Sequence, residues 1–318
     1  MSGDLTVPDH FTIQFDTNWK ALAQQKISRL RNHVMVETGC TGERRTHNYV
    51  GIINSEKVTG QRYKKIALRD LPTAKRWVTP EQFQTPTGES KWDAIGLLPT
   101  IAPSGSHTLA HMGAFGRDCD DIIIEALGGT AYTGAKGLDA TELPDSQIVL
   151  KDYVYQGGTP GDSSLTVEKI IAALRVMAET EAWNDDLASA GMKLHGVMTP
   201  LCEEYLRIDA NRFEGSRLFS RDFMPPTLDE NGKIKCFLGI DWTVSTRPGL
   251  RGGGADADLD FAYVWVTDGV QFDVWEDMRT TIDRRPDLSN AVQFLSQYSI
   301  GATRLEETKV VKIEAAVR

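Results

Sequence analysis

Two histidines have the spacing of zinc ligands: His107 and His111 lie four residues apart in a segment whose pattern predicts a helix. A zinc-protease helix also needs a glutamate directly after the first histidine, where it serves as general base. Thr108 stands at that position, and the sequence offers no third ligand nearby. We therefore expect exposed helical histidines, and we keep a metal-dependent enzyme using His107, His111 and nearby acids as an alternative from another functional class.

Alternating acids at Asp256, Asp258 and Asp260 resemble the start of a calcium-binding loop. Such a loop needs glycine at its sixth position and glutamate at its twelfth, and this chain has Phe261 and Thr267 there. The chain also lacks the Gly-Lys-Ser/Thr ending of a phosphate loop and the G-x-S-x-G turn of a serine hydrolase. The sequence therefore predicts no catalytic residue, no cofactor site and no metal site.

The composition favours a protein that buries a large core, because 41% of its 318 residues are apolar. Its 35 basic and 44 acidic residues give a net charge of −9, whereas dedicated nucleic-acid binding favours a basic surface. No stretch approaches the roughly 18 apolar residues that suggest a membrane span. The N-terminal residues lack the apolar segment of a signal peptide, so we expect neither membrane insertion nor export.

The four cysteines, Cys40, Cys119, Cys202 and Cys236, are widely separated and form no C-x-x-C pair. Scattered cysteines of this kind are typical of proteins in a reducing compartment. We expect four free thiols.

The strongest predicted helix runs from Ser104 to Leu127, between capping residues before it and two glycines after it. Gly113 and Gly116 weaken its middle, which permits bending or the close approach of another backbone. Asp118, Asp121 and Glu125 lie largely off the apolar stripe and predict either a solvated face or a surface that meets basic residues of a neighbour. The predicted apolar stripe consists of Leu109, Met112, Phe115, Cys119, Ile122, Ile123 and Ala126.

Shorter helices are predicted from about Thr17 to His33, from about Thr166 to Ala182, and from Thr199-Pro200 to about Ile208. Residues 195–198 predict a buried strand. Extended structure is expected in the last third of the chain: one strand over 234–246, a hairpin joining 261–266 to 270–275 across Asp268-Gly269, and a closing ribbon from Val292 onward.

Residues 34–92 differ from the rest of the chain, because short extended runs are separated by glycines and polar residues. A long segment with little core-forming content is unusual inside a compact domain. We interpret it as a projecting two-stranded arm whose partner surface lies on another subunit; the alternative is the solvated face of an ordinary sheet. Its returning half is strongly basic, with Arg62, Lys64, Lys65, Arg69, Lys75 and Arg76.

The order of these elements resembles that of the major capsid proteins of tailed bacteriophages, which share the Hong Kong-97-type fold. In that fold an N-terminal arm is followed by an extended loop, a spine helix, a central α/β region and a returning strand. The motifs that carry the resemblance are V-E-T-G at 36–39, N-Y-V-G at 48–51, R-Y-K-K-I-A-L-R-D at 62–70, the helix end at 116–134, and the closing stretches at 279–287 and 299–313.

The resemblance implies an α+β fold with an N-terminal arm, extended loop, long spine helix, peripheral domain and axial domain. The implied boundaries are 1–33 for the N-terminal arm and helix, 34–92 for the extended loop, 93–130 for the spine helix of the peripheral domain, 131–289 for the axial domain, and 290–318 for the closing strands of the peripheral domain.

The implied function is that of a structural major capsid protein, without enzymatic activity or cofactor. It would self-assemble into pentamers and hexamers of an icosahedral head that encloses double-stranded DNA, in the virion, after assembly in the host cytoplasm. Implied partners are further copies of the chain, a scaffolding protein, a portal, a decoration protein and non-specific contacts with packaged DNA, with no membrane. A nanocompartment shell of the encapsulin class is the nearest alternative.

The resemblance also implies which residues contact neighbouring subunits. Some members of the family cross-link their loops covalently through lysine and asparagine; Lys64 and Lys65 lie in that region, but no acceptor or catalytic glutamate is identifiable, and a cross-link is not among our predictions. The predicted inter-subunit residues are Arg44, Arg45, Arg62, Lys64, Lys65 and Arg69 on the extended loop, and Asp118, Asp121 and Glu125 on the spine helix.

Overall fold

The structure of the chain is a computed structural model. It describes residues 25–51, 70–89, 103–155, 161–214, 227–229 and 232–317, together with the single positions 53, 55, 57, 68 and 158. The predicted α+β class is confirmed, since helices and sheets are both extensive. Among the described helices, none is long and apolar enough to cross a membrane.

The helices are α1 (Pro103–Gly128), α2 (Val167–Glu179), α3 (Asp185–Ser189) and α4 (Pro200–Glu214). The strands are β1 (Met35–Thr38), β2 (Arg45–Val50), β3 (Thr73–Val78), β4 (Glu81–Glu89), β5 (Ala131–Thr133), β6 (Asp139–Thr141), β7 (Ile148–Val149), β8 (Leu194–Met198), β9 (Thr227–Leu228), β10 (Ile234–Phe237), β11 (Ile240–Val244), β12 (Leu259–Val266), β13 (Val270–Arg285), β14 (Ala291–Arg304) and β15 (Val310–Ala316).

The described strands form three sheets. The long sheet has the order β1-β13-β14-β4, and the central sheet has the order β7-β15-β12-β8-β11-β10-β9. The loop-base sheet has the order β2-β3-β5-β6 and is antiparallel throughout. Helix α1 packs along β13 and β14 of the long sheet, while α2 packs on the central sheet.

Two apolar clusters cover the opposite faces of the central sheet. On one face, Ile170 and Met177 of α2 pack with Val264 of β12. On the other face, Trp265 of β12 packs with Ile123 of α1 and with residues of the long sheet. Neighbouring residues of β12 enter different clusters because side chains alternate along a strand. The second cluster therefore joins α1 and both large sheets into one core.

Helix α1 agrees with its prediction to within one residue at each end. Its apolar stripe is buried at Cys119, Ile122 and Ile123, but Leu109 and Met112 remain 49% and 43% exposed, contrary to the prediction. The side chain buried in that first half is His111, which is 2% exposed. Strands β4 and β14 cover the histidine face of the helix, a long-range contact that helical spacing alone does not reveal.

The predicted helix at 17–33 is wrong in its described part; its first residues, 17–24, lie outside the described residues. Residues 25–30 are irregular, and 31–33 form a single 3₁₀ turn. The amide N–H groups of Arg29 and Leu30 donate to the carboxylate of Asp120. These N–H groups therefore donate to a side chain of α1, whereas in a helix they would donate to carbonyls one turn earlier in the chain.

The predicted hairpin across Asp268-Gly269 is also wrong. Strand β12 pairs with β8 and β15, and β13 pairs with β1 and β14, so the two strands never pair with each other. The turn at 267–269 carries the chain from the central sheet to the long sheet. A second turn at 307–309 carries it back, so β15 belongs to the central sheet and the predicted closing ribbon is divided between two sheets. We call this pair the crossing turns.

Other predictions agree more closely. Helix α2 begins after Thr166, whose hydroxyl accepts from Lys169 N, and β8 is fully buried as expected. Helix α4 begins at Pro200 but continues past Ile208 to Glu214. The strand predicted over 234–246 is a hairpin of β10 and β11, because Leu238 and Gly239 adopt positive φ and turn the chain. All four cysteines are free thiols.

A buried lysine connects helix α2 to strand β15 of the central sheet. Lys169 has no exposed surface, and its Nζ donates to the carbonyls of Lys151, Ser163 and Glu314 at 2.9, 2.6 and 2.9 Å. These bonds tie α2 to Lys151, to Ser163 and to the end of β15. Burial lowers the pKa of Lys169 to about 8.

We predict a pH signature for this lysine. The unfolded chain holds the proton at the ordinary pKa of 10.5, so between about pH 8 and pH 10.5 it binds that proton more tightly than the folded chain does. Raising the pH through this window should stabilise the wild type relative to Lys169→Met, by up to ~1.4 kcal/mol per unit of pKa shift. Urea unfolding of both proteins across the window measures the difference. The exposed Lys136→Met is the control, and a pH-independent difference between wild type and Lys169→Met contradicts the assignment.

Candidate functional site

A buried arginine binds the last carbonyls of helix α1. Arg304, at the end of β14, has no exposed surface. Its Nη1 donates to the carbonyls of Leu127 and Gly129 at 2.9 and 3.0 Å, and its Nη2 lies 3.4 Å from the carbonyl of Thr141. Carbonyls at a helix C-terminus lack partners within the helix and carry partial negative charge, so a cation there is favourable.

The middle of α1 binds the N-terminal segment through a buried carboxylate. Asp120 accepts hydrogen bonds from Ser28 Oγ at 2.6 Å, from Arg29 N at 3.0 Å and from Leu30 N at 3.1 Å. The predicted close approach at Gly116 is confirmed, because a Cβ there would lie 2.8 Å from Ser28 N. Gly116 and Asp120, one turn apart on α1, thus form the surface on which this segment packs.

The histidine pair of α1 forms packing contacts to the long sheet. His111 Nε2 lies 3.0 Å from Thr87 Oγ1, and its Nδ1 lies 2.7 Å from Ser296 Oγ. His107 stacks on the ring of Phe294, with ring centroids 4.7 Å apart. Burial lowers the pKa of His111, and His107 lowers it further. The prediction that His111 is exposed is wrong. Each of its two ring nitrogens lies within hydrogen-bonding distance of a hydroxyl group.

The base of the extended segment is anchored by Arg76 of β3. This residue belongs to the strongly basic returning half of residues 34–92, yet it is 3% exposed. Its Nε donates to Leu305 O at 2.9 Å, and its Nη2 pairs with the carboxylate of Glu307 in the crossing turns. The neighbouring Lys75 is exposed. Of these two basic residues, Arg76 is therefore a buried anchor and Lys75 is a solvated cation.

An open acidic cleft of about 480 Å³ lies between this loop base and the C-terminal half of α1. Glu81 of β4 and Glu125 of α1 supply its charges, and Trp77 and Tyr132 supply aromatic surface. Burial, and then the charge of Glu125, raise the pKa of Glu81. A carboxyl group beside a second carboxylate favours a cationic side chain close by.

The predicted basic contacts are only partly within the described residues. Arg62, Lys64, Lys65 and Arg69 lie outside them. Arg44 is exposed. Arg45 pairs with Glu37 of its own chain and donates to Cys40 Sγ at 2.7 Å, so part of its hydrogen-bonding capacity is used within the subunit.

The predicted acids of α1 differ from one another. Asp118 accepts from the hydroxyl of Tyr298, and Asp121 lies 3.4 Å from Arg247 Nη1. Burial raises the pKa of Asp121, although Arg247 opposes the shift. Glu125 is exposed and lines the acidic cleft. Contact of these acids with another subunit stays a prediction, and Glu125 is the one with the most open surface.

One cluster was missed by the sequence reasoning. Glu37, His47 and Asp273 come from β1, β2 and β13, and their ligand atoms all lie within 4.8 Å of one another. Local spacing could not reveal this group, because two chain segments more than 200 residues apart supply it. Among the described residues, it is the group of carboxylates and imidazole that could hold a metal ion.

Comparison with protein families gives one result that spans almost the whole chain. Residues 7–317 match a family described as phage capsid protein. No curated protein matches the chain.

Solved structures resemble the chain along nearly its full length. The capsid of Ralstonia phage GP4 has a TM-score of 0.69 at 11% identity, covering 98% of this chain and 96% of that one. The capsid asymmetric unit of cyanophage Pam1 has a TM-score of 0.69 at 12% identity, covering 99% of both chains. The head of Helicobacter pylori bacteriophage KHP40 has a TM-score of 0.68 at 9% identity, covering 99% and 98%. At these identities the likeness establishes the fold.

We predict that Asp120→Asn releases the N-terminal segment from α1. The carboxylate accepts charge-assisted hydrogen bonds that an amide replaces poorly, so the free energy of unfolding should fall by about 2–4 kcal/mol. Amide hydrogen exchange at Arg29 and Leu30 should accelerate more than exchange elsewhere. Glu125→Gln, an exposed acid five residues along the same helix, is the control. Equal effects of the two substitutions would contradict this role for Asp120.

Proposed function

The chain belongs to the phage capsid protein family, and on that premise we propose that copies of it close into the shell of an icosahedral head. It is a structural major capsid protein of a phage head, with the Hong Kong-97-type fold that its sequence resembles. Further copies of itself are its partners in the capsid lattice. We propose pentamers and hexamers as the repeating units, with the loop of residues 34–92 reaching across an adjacent subunit.

The exposed apolar side chains of the loop support this proposal most directly. Leu68 is 98% exposed, and Val50 and Ile53 are 62% and 58% exposed. Large apolar side chains left in water on one segment are covered when that segment packs on a partner. Exposure of these apolar side chains to water is unfavourable. A neighbouring subunit that covers them contributes about 25 cal/mol of stabilising free energy for each Å² of apolar surface buried.

Charge supports the same arrangement. The acidic cleft beside Glu81 and Glu125 lies on the body of the subunit, and the returning half of the loop carries Lys64 and Lys65. We propose that basic loop residues of one subunit approach Glu125 of another. Opposite charges would then set the register of the contact, while apolar burial supplies most of its free energy.

Further partners belong to the proposal as well. A scaffolding protein, a portal and a decoration protein would meet the assembled shell, and assembly would take place in the host cytoplasm. Packaged double-stranded DNA would contact the shell without sequence preference. The net charge of −9 disfavours tight adhesion of a polyanion, which would leave the genome free to move.

Neither alternative function is favoured. The matched family is one of phage capsids, which argues for a viral head over an encapsulin-type nanocompartment. An enzyme built on His107 and His111 would need a free ring nitrogen on each histidine. The hydroxyls of Thr87 and Ser296 already engage both nitrogens of His111.

Electron microscopy of the purified chain, alone and with a co-expressed scaffolding protein, tests the proposal. Closed shells or capsomer rings support it. Small monodisperse particles under both conditions would overturn it. Co-purifying nucleic acid would be released by raising the salt concentration if its contacts with the shell are only electrostatic.

We predict that loop side chains control assembly more than folding. Gly51 N donates to Pro72 O at 2.7 Å, so the ends of the segment between them are adjacent and 52–70 can be deleted with a short glycine linker. The shortened chain should unfold at nearly the wild-type temperature but form no closed shells. Normal shells from the deletion would refute the role of the loop.

A point variant gives the matched control. Leu68→Ser should reduce shell yield several-fold, because it removes the most exposed apolar side chain among the described residues of the loop. Leu138→Ser changes a leucine that is 73% exposed outside the loop and should assemble normally. The same loss of yield from both variants would count against the proposed covering of the loop.

A further inference from the structure

Two carboxylates face each other on neighbouring strands where the extended loop begins. Glu37 of β1 and Asp273 of β13 are direct partners in the parallel ladder, so their side chains share one face of the long sheet. Like charges directly opposite each other destabilise a strand pair. Asp273 has no exposed surface, whereas the Glu37 side chain is about half exposed. This arrangement needs positive charge close by.

Strand β2 brings two nitrogen-bearing side chains over that face. Arg45 and His47 are two residues apart, so they lie on the same side of the strand. Arg45 pairs with Oε1 of Glu37, and His47 Nε2 lies 2.7 Å from Oδ2 of Asp273. With a neutral imidazole, the group contains two carboxylates and one guanidinium, so its net charge is −1.

We propose that Glu37, His47 and Asp273 bind one divalent cation of the zinc class. Imidazole with carboxylates suits Zn²⁺ and similar transition metals, whereas Mg²⁺ and Ca²⁺ favour all-oxygen sites. Tetrahedral ligands at zinc bond lengths stand about 3.3 Å apart, so the imidazole and Asp273 need to separate by only about half an ångström. The Glu37 side chain is 49% exposed, so water would supply the fourth ligand.

Each carboxylate already has a neighbour that holds its second oxygen. Gln271 Nε2 donates to Oδ1 of Asp273 at 2.9 Å, which leaves Oδ2 directed at His47. Arg45 holds Oε1 of Glu37 and is itself fixed by Cys40 Sγ. Partners of this kind orient metal ligands, and losing one typically costs 10- to 100-fold in affinity. The surrounding residues thus resemble the outer shell of a built metal site.

The position of the cluster gives the site a consequence for the subunit. Its ligands come from β1, from β2 and from β13, so one ion would join the start of the loop to the long sheet. The cation would neutralise the facing carboxylates and fix the direction in which β2 leaves the body. This inference concerns the single chain and stands independently of shell formation.

Zinc titration of the full-length, untagged chain, stripped with a chelator and then dialysed, tests the proposal. Calorimetry and metal analysis should find one Zn²⁺ per chain, and Mg²⁺ in excess should not displace it. His47→Gln, which can still hydrogen-bond to Asp273, should weaken zinc binding more than tenfold. Gln271→Met should weaken it 10- to 100-fold. His107→Gln removes a histidine outside the cluster and should bind zinc as the wild type does.

A spectroscopic measurement covers the case in which a variant does not fold. Co²⁺ added to the wild type should give the intense visible bands of a four-coordinate site with an imidazole ligand, and zinc should abolish them. Absence of stoichiometric zinc in the wild type, weak six-coordinate cobalt bands, or unchanged affinity in folded His47→Gln would each overturn the site. Loss of zinc in His107→Gln instead would place the metal on α1 and also overturn it.

Discussion

The guanidinium of Arg304 caps the C-terminal end of helix α1. The last carbonyls of the helix lack partners within it, and a hydrogen bond from a charged donor to such a group contributes about 1.5–3 kcal/mol. Arg304 stands at the end of β14, shortly before the second of the crossing turns. One side chain therefore fixes the position of the helix relative to the long sheet and to the point where the chain returns to the central sheet.

The other connections of the subunit follow from that placement. With α1 fixed, Asp120 presents its carboxylate to the N-terminal segment, and His111 presents its ring to β4 and β14. Arg76 then ties the loop base to Glu307, the third residue after β14. The elements that would reach neighbouring subunits are thus attached to the body through buried polar contacts, each of which specifies direction in a way that apolar packing alone does not.

Local signals in the sequence predicted the structure where local forces decide it. The bounds of α1 and the start of α2 follow from capping residues and glycines that act within one turn. The Asp268-Gly269 pair favoured a hairpin for an equally local reason, but β8 and β15 supply the partners of β12 from distant parts of the chain. Burial of His111 and convergence of Glu37 on Asp273 are likewise long-range, so no spacing rule could find them. The overall resemblance succeeded because it used the order of elements rather than their pairing.

The hydrogen bond between Gly51 and Pro72 has an evolutionary consequence. It holds the two ends of the loop together at the body of the subunit, so residues between Gly51 and Pro72 can be gained or lost without moving any core strand. Doubling the length of such a closed loop adds only about 0.6 kcal/mol of entropy cost. The length of the loop can therefore change while the scaffold shared with capsid structures of 8–14% identity is kept.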